Sequence, residues 1–440
     1  LPALGDAVMS PNVEYRGSIK EDFGLTTGAR IVGNQMYVTS GKNISIYDIT
    51  DPAVPTRVGM LATNVSWENE EGPTNGKILA FGSDFYNTSA AGGCLQALRV
   101  TGCSQFFDVR DPNNIKELPA VTKANHTLEC VLDCSYFYGS SGSIIDARGA
   151  LNGVAPKEVG NWKTEAEKQG VRENSCHHMR EIAPGIVITA CQPFAVLSLL
   201  PEDGGTPEKP RVLYTGKAAK FVHSVRWPNG GTDKFVMTGG EENFNGRCEL
   251  NNSEFSTYSA EKVLSGESDE FELLRQITPA GNGVYADGKP VAGALGCSVH
   301  WFQEHQSFNN GGLVALSQYE DGVRFEQIKP NGDIVEQGYF LSAGSSSSSP
   351  KWAPDGKTLY SIDYQRGIDI LRWKGDTYVP DPVIGKVTPT KGAIRGTNGS
   401  AAATRAQAGL ERVSQAPLVR QLRQSGWVPG FCRLVASKRA

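Results

Sequence analysis

No run of about 18 apolar residues occurs anywhere in the chain, so no segment has the length to cross a bilayer as a helix. Neither sign of charge dominates: 43 Lys and Arg stand against 47 Asp and Glu, and a formal net charge of -4 provides no footprint for nucleic acid. Sequence signatures of whole enzyme classes are missing too. There is no G-x-S-x-G elbow, H-E-x-x-H helix, P-loop or dinucleotide fingerprint, which removes the common serine hydrolases, zinc proteases and nucleotide-dependent enzymes. No paired C-x-x-C occurs either, so the 9 cysteines do not read as a zinc ribbon.

What the chain has in excess is turn chemistry. The 50 glycines and 24 prolines, with frequent Asn-Gly, Asp-Gly and Gly-Gly pairs, indicate many tight turns between short strands, and hence an all-β architecture. The cysteines lie close together in order: Cys94 with Cys103, Cys130 with Cys134, Cys176 with Cys191, and Cys248 before Cys297, leaving Cys432 over. Cys176 and Cys191 flank Ala183-Pro184-Gly185 symmetrically, so a hairpin turning there sets the two sulfurs within bridging range. Disulfides imply an oxidising compartment. Six N-x-S/T sequons, at Asn43, Asn64, Asn87, Asn125, Asn251 and Asn398, agree with a secreted glycoprotein, though such triplets are common by chance. Leu1-Pro2-Ala3-Leu4 lack the charged and apolar regions of a signal peptide, so the expectation is one already removed.

Self-comparison reveals a repeat. Residues 31–59 read as an alternating strand, a Gly turn, a second strand ending in Asp48, then Asp51-Pro52; Asp108, Asp111 and Pro112 return in the same places of a second unit. Weaker copies follow at Gly142–Asp146, Phe194–Ser198, Gly322–Phe325 and Gly367–Leu371. Units near 31–60, 75–121, 126–162, 176–216, 221–278, 297–340 and 348–379 predict a β-propeller of seven four-stranded blades over residues 1–385. Asn12–Ile19 precedes any complete unit and is expected to close the ring by completing the last blade. Residues 386–440 turn small and basic, with seven arginines from Arg395 to Arg439, and are expected to be a C-terminal extension, partly helical over Ala408–Leu422 or mobile, and packed on the propeller.

The unit resembles the LVIVD repeat family of secreted and surface propellers, in which a Gly turn leads into an aliphatic strand ending in D-[IV]-[ST]-[DN]-P. The first two units match well, the fourth to seventh lack the Asp-Pro ending, and nothing after about residue 385 matches. That resemblance implies a fold and no particular reaction, so function has to come from the site.

Five of the six histidines head the first strand of a unit: His126, His177 and His178, His223, and His300. In a propeller those strands line the axis, so one position in neighbouring blades points at a shared centre. Imidazole suits Zn, Cu, Fe or Ni, and three or four such ligands with an open position make a catalytic centre. The expected metal ligands are His126, His178, His223 and His300, with His177 and His305 as alternatives. His178 is preferred over His177 because it stands three residues before Glu181, as His126 does before Glu129. Glu129, Glu181 and Glu304 are expected to orient the imidazoles. A histidine at a strand start can equally well do no more than hydrogen-bond a neighbouring backbone. The arrangement is similar to that of the carotenoid cleavage oxygenases and of selenium-binding proteins with methanethiol oxidase activity, both propellers with a histidine-rich centre.

The reading that follows is a secreted, metal-dependent oxidoreductase, with copper or iron favoured and zinc as a further option, acting on a small organic molecule with O2. Asp84, Glu241, Glu242, Glu320 and Asp363 fall at the channel mouth, where carboxylates could hold Ca2+ or form a solvated rim. Tyr319 and Tyr364 could shape a pocket. Two rival readings remain: a non-catalytic surface propeller whose insertions at 85–103 and 243–275 contact a protein or glycan, and a Zn- or Ca-dependent hydrolase or lyase on the same site.

Overall fold

The Asx and glycine turns decide where strands stop. At the ends of three strands, Asp48, Asp108 and Asp146 each accept the backbone N–H two residues on, at 2.8, 3.1 and 3.0 Å, and turn the chain. Asp51 and Asp111 repeat the device three residues later. The carboxylate of the recurring aspartate is therefore a turn-former, which is the physical content of the repeat.

The computed structural model describes residues 7–22, 25–41, 43–63, 70–83, 103–123, 125–241, 253–278, 296–342 and 344–377. The C-terminal extension and its expected helix, Asp84, Glu242, Cys94, Cys248, Cys432 and four of the sequons lie outside these residues. The described chain is mostly β-strand, arranged in antiparallel sheets. In chain order the first meander is Thr26–Val32, Gln35–Ser40, Asn43–Asp48 and Thr56–Ala62; the second is Ile78–Ser83, Cys103–Asp108 and Lys116–Val121. The third is Leu128–Val131, Tyr136–Gly139, Ser143–Asp146 and Lys157–Asn161; the fourth is Asn174–Ala183, Ile186–Gln192, Phe194–Ser198 and Arg211–Gly216. The fifth is Ser224–Arg226, Phe235–Gly239, Phe255–Ser259 and Glu270–Ile277, joined to the fourth by a short parallel contact into one eight-stranded sheet. The sixth, Phe302–Glu304, Gly312–Ser317, Val323–Ile328 and Ile334–Ser342, gains Ala7–Met9 as a fifth strand. The seventh, Ser347–Trp352, Thr358–Asp363 and Gly367–Trp373, takes Val13–Ile19 as its fourth.

Side-chain alternation then sets how the sheets pack. In Gln35–Ser40, Met36 and Val38 face the seventh meander while Tyr37 between them faces the second, so both faces of the strand are buried. Every consecutive pair of meanders shares one apolar cluster of this kind, from the first and second to the sixth and seventh. The seventh shares another with the first, through Ile362, Ile368 and Ile370 against Ala29, Met36 and Val38. The order of packing thus closes on itself.

Two disulfides are described, Cys130–Cys134 and Cys176–Cys191, the second joining the first two strands of the fourth meander across the Pro184-Gly185 turn. Cys103 and Cys297 are also disulfide-bonded, to partners outside the described residues. Asn43 and Asn125 are buried, with side chains hydrogen-bonded to Glu21 and to Ser104 and Ser141, which takes those two sequons out of use as glycan acceptors.

Candidate metal centre

The first strands of successive meanders lie side by side, and side-chain hydrogen bonds record their register. Thr127 Oγ1 donates to the His177 carbonyl; His177 Nδ1 lies 3.2 Å from the His223 carbonyl; Ser224 Oγ donates to the His300 carbonyl at 3.0 Å. His300 Nδ1 lies 2.8 Å from the Ser348 carbonyl, and Ser348 Oγ donates to the Thr27 carbonyl at 2.8 Å. His177, His223, His300, Ser348 and Thr27 therefore occupy one level. The segment leading into the second meander places Glu70 there. Gly28, next to Thr27, makes room for it, since a Cβ at that position would fall 1.6 Å from the Glu70 carbonyl oxygen.

Glu70 is the focus of the level. Its carboxylate lies 2.9 Å from His300 Nε2, 3.3 Å from His223 Nε2 and 3.6 Å from His177 Nε2, and it accepts Trp301 Nε1–H at 2.8 Å and the Tyr364 hydroxyl at 2.9 Å. Glu241 stands behind, 3.8 Å from His223 Nε2 and 3.9 Å from His300 Nε2, and accepts the Tyr319 hydroxyl. The rings themselves are in contact: His177 stacks on His223 with centroids 3.6 Å apart, His223 is 4.3 Å from His300, and His126 is 4.7 Å from His177. Tyr319 stacks on His300 at 4.5 Å and holds that place with φ of +45°, a costly backbone for a bulky residue that often marks a functional constraint.

Every member except His126 is buried to within a few per cent of complete exclusion from solvent. Burial pushes His177 well below the ordinary imidazole range, and burial followed by the neighbouring His300 takes His223 down to about 3. Both rings are neutral at physiological pH, the form that offers a nitrogen lone pair to a metal. Burial alone would raise Glu70, but His300 and His223 hold it well below the usual carboxylate range. His177 Nε2 and both ring nitrogens of His223 have no hydrogen-bond partner of standard geometry among the described residues. Two ligand sets meet the spacing of a metal site, Glu70 with His126 and His177, and Glu70 with His223 and His300, their ligand atoms within 4.8 Å of one another in each set.

Of the expected ligands, His126, His223 and His300 are brought together and His178 is not. His177 takes its place, and His178 packs edge-on against Trp301 at 4.5 Å. His178–Glu181 pair regularly with Val187–Ala190, so the two adjacent histidines face opposite ways, and the spacing of three that matches His126 to Glu129 runs from His177 to Arg180 rather than from His178 to Glu181. His305 spends both nitrogens in a turn, on Ser307 Oγ at 2.7 Å and the Gly356 carbonyl at 2.8 Å. The three glutamates expected to orient imidazoles have other partners. Glu129 pairs with Arg30 at 2.6 Å, Glu181 accepts the Leu132 and Gly185 amides, and Glu304 lies 3.9 Å from Arg226. Carbonyls of His223 and Ser348 face the Nδ1 atoms of His177 and His300 instead. Among the rim carboxylates, Glu241 belongs to the centre, while Asp363 caps a turn through Ser345, Ser346, Gln365 and Arg366.

Compared with protein-family models and with curated proteins, the chain matches none.

Proposed function

We propose that the sheets are the blades of a seven-bladed propeller, and that Glu70, His177, His223 and His300, with the tilted ring of His126 beside them, hold one transition-metal ion on its axis. The closed order of packing, in which Val13–Ile19 completes the last sheet, supports the first part. The observation that carries the second is the convergence of three imidazole Nε2 atoms on one buried carboxylate. Three imidazoles and a carboxylate suit copper or iron, and zinc next. A bound copper or iron would supply redox chemistry, which makes oxidation of a small organic molecule by O2 the favoured activity. The protein's own part is to keep His177 and His223 neutral by burial, to orient His177 and His300 by carbonyls of adjoining strands, and to exclude water with Trp301, Tyr319 and Tyr364. The disulfides place the protein in an oxidising compartment, in keeping with secretion. The likeness of the first two units to LVIVD propellers is part of the same reading.

Mass-spectrometric metal analysis of protein purified without chelators tests it. A stoichiometric transition metal is expected, with retention falling by about tenfold or more in Glu70→Ala and His223→Ala and staying near wild type in His305→Ala. Copper or iron with substrate-dependent O2 uptake supports the oxidoreductase; zinc alone moves the chemistry to hydrolysis. Protein that takes up no transition metal overturns the proposal and leaves a binding scaffold.

A further inference from the structure

Three residues beyond the histidine level, about 10 Å along extended strands, lies a second polar layer. Thr27, His177, His223 and Ser348 are followed at that spacing by Arg30, Arg180, Arg226 and Lys351. Glu71 occupies their midst as Glu70 does among the histidines. It forms a direct ion pair with Lys351 and lies 3.4 Å from Arg180 Nη1, 3.6 Å from Arg226 Nη2 and 3.8 Å from Arg30 Nη1. Arg30 has a second carboxylate in Glu129. Arg226 has only Glu304 besides, 3.9 Å from its Nε and beyond hydrogen-bond reach. One carboxylate is thus shared by four cations, three of which have no closer carboxylate among the described residues.

Donors remain unspent here. Arg226 Nε and both ring nitrogens of the fully buried His178 have no hydrogen-bond partner among the described residues. His178 stands two residues before Arg180 on a regularly paired stretch of strand, so the two share a face. Buried donors left unmade are unfavourable, so a layer that holds them is suited to a ligand. Glu304, 3.9 Å from Arg226 Nε, also lines a cavity of about 560 Å³ whose walls include Ile31, Pro228, Phe308 and Trp352 beside the polar Asn229, Gln303 and Gln306.

We propose that this layer binds the carboxylate of a small organic acid, its oxygens taking donors of Arg226, Lys351 and His178 and its carbon chain lying in the cavity. Cations in excess repel a metal ion and attract an anion, and the planar guanidinium fork matches a carboxylate. The apolar part of the cavity wall, Ile31, Pro228, Phe308 and Trp352, favours an anion with a hydrocarbon chain over a bare inorganic one. The inference stands on the cationic layer, independently of the metal.

Isothermal titration calorimetry of the full, metal-stripped chain tests it, with hexanoate as the probe, hexanol as its neutral analogue and inorganic phosphate as the chainless anion. Hexanoate should bind saturably and at least about tenfold tighter than either, and Arg226→Gln and Lys351→Met should each weaken it by about tenfold or more. Should circular dichroism show those variants unfolded, Arg180→Gln, at the partly exposed edge, should still weaken hexanoate by about threefold. Hexanoate that binds no better than hexanol, phosphate that binds better than hexanoate, or binding indifferent to the arginine substitutions overturns the inference. Metal uptake on the same preparation keeps the two readings apart: hexanoate binding without metal sinks only the metal centre, and metal without hexanoate binding sinks only the anion site.

Discussion

Glu173 shows how a single buried carboxyl should register in the stability of the whole chain. It sits beside the Cys176–Cys191 disulfide, accepts the Thr189 hydroxyl at 2.7 Å, and is pushed up to about 8 by burial, with Thr189 and Lys163 acting against the rise. A raised value means that the folded chain keeps a proton that the unfolded chain releases above about 4.3. The stabilisation is therefore complete below that pH and is lost as pH rises through about 8. Glu173→Gln imitates the protonated form and should remove the decline. Chemical denaturation of both proteins between these limits should show wild type losing ground to the variant by a few kcal/mol. A difference between the two that does not change with pH would falsify the assignment. At this same scale the histidines were legible in the sequence, because a rare residue recurring at strand starts stands out. Glu70 was not. It lies in Trp67-Glu68-Asn69-Glu70-Glu71-Gly72, one of several acidic residues in a segment with no repeat signature, and only the approach of Gly28 selects it. The cationic layer was half visible: the spacing of three that links His126 to Glu129 also links His177 to Arg180 and His223 to Arg226, with the sign of the charge reversed.

At the scale of strands and turns, the alternating pattern and the Asx turns carry enough information to place sheets, since each is a local property of a few residues. Register between neighbouring strands is not local in that sense. His177 rather than His178 meets the next first strand, its Nδ1 against the His223 carbonyl, and a count along one strand does not show it. Packing between meanders obeys simpler rules and is open to test. Phe137 is fully buried, with its ring edge-to-face on Phe106 of the preceding sheet at 5.2 Å. Phe137→Ala should cost about 3–5 kcal/mol through lost burial and the cavity left behind. Exposed Val54, 65% accessible, provides the control: Val54→Ala should change stability by less than about 0.5 kcal/mol. Similar midpoints for the two variants in urea would mean that the apolar clusters do not bear the inter-sheet energy.

For the whole molecule, the question is how a chain of stacked sheets avoids an open edge. The last sheet is completed from the first residues described: Val13–Ile19 pairs with Gly367–Trp373 from Val13 opposite Trp373 to Ile19 opposite Ile368. Tyr15 stacks on Phe340 of the sixth sheet with centroids 5.8 Å apart, and Ala7–Met9 adds to that sheet's outer strand. These contacts join residues more than 300 positions apart in sequence, so they form late and resist opening once made. Deleting residues 1–20 would leave the unpaired backbone groups of Gly367–Trp373 exposed, and an exposed edge strand recruits another chain. Differential scanning calorimetry should then show the melting temperature lowered by about 10 °C or more, and light scattering should show self-association. Because the histidine level lies on the first strands, at the opposite side of each sheet from the deleted strand, metal retention per folded chain should survive the truncation. A truncated chain that melts with the full one and stays monodisperse would show that closure does not depend on this strand.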